Sequence, residues 1–193
     1  MPELWVVKLG GSLFGDPLLH DWLSTISQRG KGRVVVVPGG GPFANAVRIA
    51  QNQTGFDDVT AHRMALLAME QSAHMLANLN ANFIPAKSPA VMEAVLKKNH
   101  IPVWLPAEMA LAADDIPASW DMTSDSLAAW FATNIGATNL LLVKSCDVPE
   151  GELNLERWAQ QKIVDPLFPH FAALGQYSVQ VLSREQFSAI SFG

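Results

Sequence analysis

Two glycine-rich segments and two lysines follow apolar runs of the chain, and together they could bind phosphate. KLGGS (8–12) and PGGGP (38–42) each follow such a run, and VKSCD (143–147) follows a third. A glycine-rich turn between a strand and a helix lets backbone N–H groups converge on an anion. The alternative is an ordinary turn that needs glycine for its backbone conformation, and either loop alone leaves both interpretations open. Two such loops on early strands favour a phosphate site.

Lys8 and Lys144 each lie at the carboxyl end of a predicted strand. A lysine in a strand is more often at a solvated edge, but each of these lies next to a glycine-rich or polar loop. Ammonium groups on both sides of a transferring phosphoryl group would neutralise its charge, which is most of what phosphoryl transfer requires. The pair therefore indicates phosphoryl-transfer chemistry.

The segment SWDMTSDSLAAWFA (119–132) places Asp125 in the first turn of a predicted helix that Thr123 or Ser124 caps. Two interpretations of this carboxylate stay open. It could simply complement the dipole of the helix. It could instead hold the two lysines in place and help to position a metal–nucleotide complex.

Familiar nucleotide and metal motifs do not account for these segments. Gly10 and Gly15 have the spacing of a P-loop, but Asp16 and Pro17 stand where its Lys and its Ser or Thr belong. Neither glycine cluster has the G-x-G-x-x-G spacing of a dinucleotide site. The five histidines show no metal-ligand spacing, so we predict no resident metal site. The single cysteine, Cys146, excludes an intrachain disulfide and indicates a reducing compartment.

Strands and helices alternate along the chain, and they must position these residues. We predict strands at 4–9, 33–37, 101–105, 139–143 and 177–182, and helices at 16–28, 43–51, 58–80, 88–98 and 125–135. This alternation predicts an α/β fold, a three-layer αβα sandwich with a mostly parallel central sheet. Ligands of such sheets bind beyond the carboxyl ends of the strands, where the glycines and lysines lie.

Two of the predicted helices carry more detailed expectations. Asp16 followed by Pro17 is typical of an N-cap and a first helical position, so the first helix should begin there. The helix at 58–80 is expected to bury an apolar face that includes Met64, Leu67, Met75 and Leu79.

Length and composition narrow the class of protein. The chain has 193 residues, 49% of them hydrophobic and 16% charged, which is typical of one globular domain. Its net charge is −5 and it has no basic run, so nucleic acid is not an expected partner. No apolar stretch approaches the roughly 20 residues that cross a bilayer, so no membrane association is expected. The N-terminus indicates a strand and not a signal peptide, which predicts a cytoplasmic protein.

Four segments, VVKLGGSL, VVVVPGGGPFA, WDMTSDSLA and LLLVKSCDV, follow one another in the order in which the amino acid kinase superfamily carries similar motifs. The resemblance covers residues 4 to about 150. It implies a small-molecule kinase with ATP and Mg²⁺ as cofactors, assembled as a homodimer or higher homo-oligomer. It further implies one domain with an acceptor-binding half at 1–136 and a short nucleotide-binding half at 137–193.

The resemblance also gives each site residue a role by position. Lys8 would stabilise the transferring phosphoryl group, Asp125 would organise the site, and Lys144 would occupy a position where uridylate-kinase-like members carry a lysine. Nucleotide and phosphate contacts are expected from Gly10, Gly11, Ser12, Gly39, Gly40, Gly41 and Asp147. Acceptor contacts are expected from Asn45, His62 and Arg63. For His62 and Arg63, an exposed helix face is the alternative.

Finer details resemble one small branch of this family. AHRMALLAME (61–70) and the run from LPAEMAL to SWDMTSDSLAAWFA are similar to the kinase that phosphorylates an aminomethylfuran-methyl phosphate in methanofuran biosynthesis. After Leu153 the chain has neither the usual Gly-Met-x-x-Lys segment nor a closing Gly-Thr, so no motif marks the adenine side of the site. The alternative to a kinase is a non-catalytic nucleotide- or anion-binding or storage protein on the same fold.

Overall fold

The structure is a computed structural model, and it describes residues 3–148 and 154–192. One six-stranded sheet runs through it, and every strand pair that is described is parallel. The strands are β1 (Trp5–Leu9), β2 (Val34–Pro38), β3 (Phe83–Ala86), β4 (Ile101–Trp104), β5 (Asn139–Lys144) and β6 (Ser178–Ser183). Their order across the sheet is β3-β4-β2-β1-β5-β6. The predicted α/β fold with a parallel central sheet is confirmed.

Helices cover both faces of this sheet. They are α1 (Leu19–Arg29), α2 (Gly41–Thr54), α3 (Asp58–Leu79), α4 (Pro89–Lys97), α5 (Ala107–Ala110), α6 (Ser124–Asn134), α7 (Leu155–Gln160) and α8 (Phe168–Ala173). Successive residues of a strand point to opposite faces, so Val6 and Val7 of β1 lie in different clusters of the core. The cluster around Val7 includes Trp22 of α1, and the cluster around Val6 includes Phe131 of α6. The sheet therefore packs against helices on both of its faces, and it forms the middle of three layers.

The segment after β6 belongs to the layer that contains α1. Arg29 of α1 donates hydrogen bonds to the carbonyl oxygens of Ser188 (3.0 Å) and Ile190 (2.8 Å). Phe192 packs its ring edge-on against Trp5 of β1, with ring centroids 5.3 Å apart. The last described residues therefore complete the core on the α1 side of the central strand.

The sequence did not indicate β3, α5, α7 or α8. Strand β3 has only four residues, FIPA, and one of them is Pro85. Proline cannot donate to a strand ladder and is tolerated at a sheet edge, which is where β3 lies. The three helices have four to six residues each, which is too short for a 3.6-residue repeat to be recognised.

The predicted start of the first helix is wrong by three residues. Helix α1 begins at Leu19, and Asp16 is not its N-cap. The Asp16 carboxylate instead accepts a hydrogen bond from the backbone N–H of Leu18 (2.9 Å) and pairs with Arg184 (2.9 Å). The carboxylate therefore connects the first loop to the segment after β6, a contact that no local pattern indicates.

The predicted buried face of α3 is also wrong for most of its members. Met64, Leu67 and Leu79 are 36–45% exposed, and only Met75 is partly buried against the core. The face that packs inward instead carries Leu66, Met69, Ala73 and Leu76. Because this helix is apolar on more than one side, its sequence does not specify which side is covered. No helix in the described ranges is long and apolar enough to cross a membrane.

Candidate active site

Lys8, Asp125 and Lys144 form one buried cluster of charges. The Nζ atom of Lys8 lies 2.7 Å from Oδ1 of Asp125, and the Nζ atom of Lys144 lies 2.7 Å from Oδ2. The side chains of Lys8 and Asp125 are each 5% exposed, and that of Lys144 is 14% exposed. With both lysines protonated, the cluster has one excess positive charge at the carboxyl end of the sheet.

Three elements converge to build this cluster. Strand β1 lies between β2 and β5, and its Leu9 is level with Val143 of β5. Lys8 is level with Leu142, two residues before Lys144, so the two lysines project from neighbouring strands to the same face of the sheet. Asp125 is the second residue of α6, so its carboxylate starts from the amino-terminal turn of a helix that packs on these strands. The structure thus brings together the three residues that the sequence placed at strand and helix ends.

Burial and pairing act in opposite directions on these charges. Burial alone would raise the pKa of Asp125, but the two lysines outweigh it and hold that pKa at about 2. Burial lowers the pKa of Lys8, and the attraction of Asp125 opposes this only in part. Asp125 is consequently ionised at every pH near neutrality, and its charge favours the protonated form of the buried Lys8.

The two glycine loops are in direct backbone contact. A Cβ atom added to Gly11 would lie 2.2 Å from the backbone nitrogen of Gly41, so no side chain fits between the loops. Gly41 has a φ of +53°, and a Cβ there would lie 2.4 Å from the ring of Phe14. The N–H group of Gly39 is already bonded to the carbonyl oxygen of Leu9 (2.8 Å). The loops meet where α2 begins, and the first N–H groups of a helix have no partner within it.

The loop after β5 joins this group of loops. The hydroxyl groups of Ser12 and Ser145 lie 2.7 Å apart, which links the first glycine loop to the residue that follows Lys144. Gly10 donates its backbone N–H to the carbonyl oxygen of Val143 (3.2 Å). Asp147 lies farther along the same loop and is exposed. Ser145 was not among the predicted site residues, although it lies within the VKSCD segment.

A cavity of about 500 Å³ opens next to the glycine loops, between α2, α3 and residues 119–127. Gly11, Ser12, Gly40 and Gly41 form part of its wall. Asn45 and His62, two of the residues that were predicted to contact the acceptor, line it. Arg63 is exposed on α3 and is not one of the residues that line it. Burial lowers the pKa of His62, so its imidazole is neutral at neutral pH.

The cavity has an inner and an outer end, because α2 and α3 run antiparallel. Near the start of α2, the hydroxyl of Ser72 donates to the carbonyl oxygen of Gly40 (3.4 Å). Near its end, the side chain of Gln51 donates to Oδ1 of Asp58, the first residue of α3 (2.8 Å). The inner end therefore lies at the glycine loops, and Asp58 marks the outer end.

An arginine stacked on a tryptophan lies between these ends. The guanidinium carbon of Arg48 lies 4.0 Å from the ring centroid of Trp120. The indole N–H of Trp120 donates to Oε1 of Gln51 (2.7 Å), which fixes the ring. Across residues 3–148 and 154–192, no carboxylate forms an ion pair with Arg48. Sequence reasoning missed Arg48, Trp120 and Asp58, because nothing local distinguishes them from residues on a solvated surface.

The described residues offer no ready-made metal centre. No group of three or more His, Cys, Asp and Glu side chains is placed to hold an ion in residues 3–148 and 154–192. Both carboxylate oxygens of Asp125 already contact lysines. A Mg²⁺ ion would therefore fit here only as part of a phosphate complex, which is how Mg²⁺ commonly binds. The site can neutralise phosphate charge with two ammonium groups and with the first N–H groups of α2, which have no partner within the helix.

Comparison with known proteins gives concordant results. The sequence model of the amino acid kinase family matches residues 3–149. The [5-(aminomethyl)furan-3-yl]methyl phosphate kinase of Methanocaldococcus jannaschii is 28% identical over 145 residues, which are 74% of this chain and 66% of that protein. The uridylate kinase of Archaeoglobus fulgidus superposes with a TM-score of 0.70 at 17% identity, over 96% of this chain and 94% of its own. The UMP kinase of Ureaplasma parvum superposes with a TM-score of 0.67 at 15% identity, over 95% of this chain and 90% of its own.

Proposed function

The chain belongs to the amino acid kinase family, and we propose that it transfers the γ-phosphoryl group of ATP to a small acceptor that carries a phosphate. The observation that carries this proposal is the buried Lys8–Asp125–Lys144 cluster beside two touching glycine loops. The activity of the M. jannaschii relative supports the choice of acceptor, an aminomethylfuran-methyl phosphate of a methanofuran-type pathway. The chain spans 66% of the length of that relative.

In this proposal the donor phosphates lie on the glycine loops. Gly11, Ser12, Gly40 and Gly41 contribute backbone contacts. Gly10 and Gly39 belong to the same loops, but their N–H groups are bonded to the carbonyl oxygens of Val143 and Leu9. Ser145 and Asp147 lie on the donor side as well. When bound with the nucleotide, Mg²⁺ supplies further neutralisation of the phosphate charges. Lys8 and Lys144 contact the oxygens of the transferring group, and Asp125 keeps both ammonium groups in place. The acceptor phosphate is already ionised, so no side chain has to remove a proton from it.

The acceptor lies in the cavity, with its phosphate toward the inner end. Arg48 is seven residues after Gly41, which is about 10 Å along the helix axis, and it lines the cavity beside Trp120. We propose that Arg48 binds the acceptor phosphate, because it is fixed on Trp120 and has no carboxylate partner in the ranges described. Asp58 at the outer end would pair with the amine of the acceptor. Asn45 and the neutral His62 provide polar contacts between these ends.

A direct assay tests the proposed reaction. ATP consumption with Mg²⁺ is measured against a phosphorylated aminomethylfuran, UMP, aspartate and acetylglutamate. We expect turnover of the furan and none of the other three. Efficient phosphorylation of UMP, aspartate or acetylglutamate would contradict the acceptor assignment and leave the kinase proposal standing. ATP binding without turnover of any acceptor would instead favour a binding protein.

Replacing Arg48 by alanine should raise KM for the phosphorylated acceptor by about 10- to 100-fold, the size of one charge-assisted contact. KM for ATP should change little, because Arg48 lies on the acceptor side of the loops. Arg63→Ala is the informative comparison, since Arg63 lies one residue from His62 but is not in the cavity wall. If KM for the acceptor rises equally in both variants, or rises only in Arg63→Ala, then Arg63 binds the acceptor.

Three further features remain proposals about the whole protein. We propose that residues 1–136 bind the acceptor, because the cavity is lined by residues of this range. We propose that residues 137–193 bind the nucleotide together with the two glycine loops. We propose a homodimer or higher homo-oligomer, supported by the exposed apolar side chains of Val59, Met64 and Leu67 on α3. A cytoplasmic location suits an ATP-dependent enzyme with one exposed free cysteine, Cys146.

A further inference from the structure

Asp165 is a buried carboxylate that the proposed reaction does not use. It lies between α7 and α8, is 8% exposed, and has no ion-pair partner in the part of the chain that the structure describes. Four hydrogen bonds reach it, all from the start of α6. Its Oδ2 accepts from the backbone N–H (2.9 Å) and hydroxyl (2.7 Å) of Thr123 and from the backbone N–H of Ser126 (3.0 Å). Its Oδ1 accepts from the hydroxyl of Ser126.

These bonds replace the capping that α6 lacks. Thr123 is the N-cap of this helix, but its side chain makes no capping bond to the backbone. Its hydroxyl donates to Asp165 instead. A carboxylate 42 positions after Thr123 therefore accepts from the N–H groups of the N-cap residue and of the third residue of the helix, and its charge complements the helix dipole.

We infer that Asp165 is a positioning residue for Asp125: it fixes the first turn of α6 so that one carboxylate meets both Lys8 and Lys144. Asp125 lies between Thr123 and Ser126, the two residues that Asp165 binds. A carboxylate that must stay 2.7 Å from two ammonium groups tolerates little displacement. Displacements of about 1 Å at a reacting centre can cost about 100-fold in rate.

Asp165 is itself held firmly. Val164 and Phe168 beside it are buried in the core, and the backbone N–H of Leu167 donates to the carbonyl oxygen of Asp121 (3.2 Å). The second half of the chain thus sets the geometry of a residue that belongs to the first half. Its charge also acts on Lys8, whose pKa is lowered by burial and raised by Asp125 and, to a smaller extent, by Asp165.

Two substitutions distinguish the effect of losing the hydrogen bonds of Asp165 from the effect of losing its charge. Asp165→Ala removes all four bonds, and kcat should fall by about 10- to 100-fold while KM for the acceptor stays within about threefold. Asp165→Asn keeps an oxygen for the two N–H donors, and its amide can donate to the hydroxyl of Ser126. It should keep kcat within about fivefold of the wild type. This arm rests on the proposed function, because it measures turnover.

Controls distinguish positioning from general stability. Asp121→Ala removes an exposed carboxylate of the same region and should leave kcat unchanged. Ser126→Ala removes one of the four bonds and should lower kcat by about three- to tenfold, which keeps the test open if Asp165→Ala does not fold. If Asp165 acts through Asp125, adding Asp165→Ala to Asp125→Asn should cost less than about threefold more. An equal cost in both backgrounds would overturn the inference.

A second arm does not depend on activity. Amide exchange at Thr123 and Ser126, and the titration of the Lys8 ¹³Cε signal by NMR, are compared in the wild type and the Asp165 variants. Asp165→Ala should speed exchange at least tenfold at both amides and move the Lys8 titration to lower pH than Asp165→Asn does. If exchange and titration match the wild type in a folded Asp165→Ala, the inference fails. If they change as expected but no acceptor is phosphorylated, the proposed function fails and the inference stands.

Discussion

Replacing Lys8 by methionine should lower kcat by about 100- to 1,000-fold, the cost of removing one preorganised electrostatic contact at a transferring group. Methionine has nearly the length of lysine and no charge, so it suits a side chain that is only 5% exposed. Asp125 keeps its contact with Lys144, and burying a neutral side chain removes the desolvation cost of an ammonium group. The melting temperature should therefore stay near that of the wild type. Steady-state kinetics and thermal unfolding measure the two effects separately.

Lys144→Met and Lys97→Met complete this comparison. Lys144 contacts the same carboxylate and should show a similar loss of kcat. Lys97 is an exposed lysine of α4 that pairs with Glu93 (2.6 Å), and its replacement should leave kcat unchanged. Turnover like that of the wild type in Lys8→Met or Lys144→Met would remove that lysine from the mechanism.

Asp125→Asn should abolish most of the activity, with kcat reduced by about 100-fold or more, because neither ammonium group is then held by a charge. If Asp125 only complemented the dipole of α6, its replacement would cost about 0.3–1 kcal/mol of stability and would change the activity little. The structure argues against that outcome, since the carboxylate is buried and contacts two lysines at 2.7 Å. An active but slightly less stable Asp125→Asn would establish the helix-dipole interpretation.

The stability of Asp125→Asn should also depend on pH in a defined direction. Without Asp125, burial lowers the pKa of Lys8 further below its ordinary value of 10.5. In the unfolded chain, Lys8 keeps its proton up to about pH 10.5, whereas in the folded variant Lys8 releases its proton at a lower pH. Between the two values the unfolded state binds more protons, so stability relative to the wild type should rise with pH. Chemical denaturation between pH 7 and pH 10 measures this, and a flat or falling difference would contradict it.

Most of the fold and the centre of the site follow from local patterns in the sequence. Strands that alternate with helices predicted a parallel sheet, and the segments KLGGS, PGGGP and VKSCD at three of the strand ends predicted that its ligands bind at one edge. Lys8 and Lys144 lie close together for this reason, since strand ends in a parallel sheet meet. Family membership was confirmed, because the motifs around these ends were specific.

The parts that escaped prediction depend on contacts between distant residues. Asp165 binds residues 39 and 42 positions earlier in the chain, and nothing beside it differs from an ordinary Asp-Pro loop. Arg48 and Arg63 both lie on helices of the first half, and only packing shows that one of them faces the cavity. Strand β3 was missed because it has four residues and contains Pro85.

The central place of β1 in the sheet has a consequence for synthesis on the ribosome. Its partner β2 follows within about 30 residues, but its other partner, β5, begins only at Asn139. Until then, the edge of β1 that pairs with β5 has no partner strand. The nascent chain at that stage contains Lys8 but not yet Lys144. Such edges pair readily with other chains, so truncated products that end before β5 should aggregate and should depend on chaperones. The proposed division into an acceptor-binding and a nucleotide-binding half is therefore not a division into two folding units.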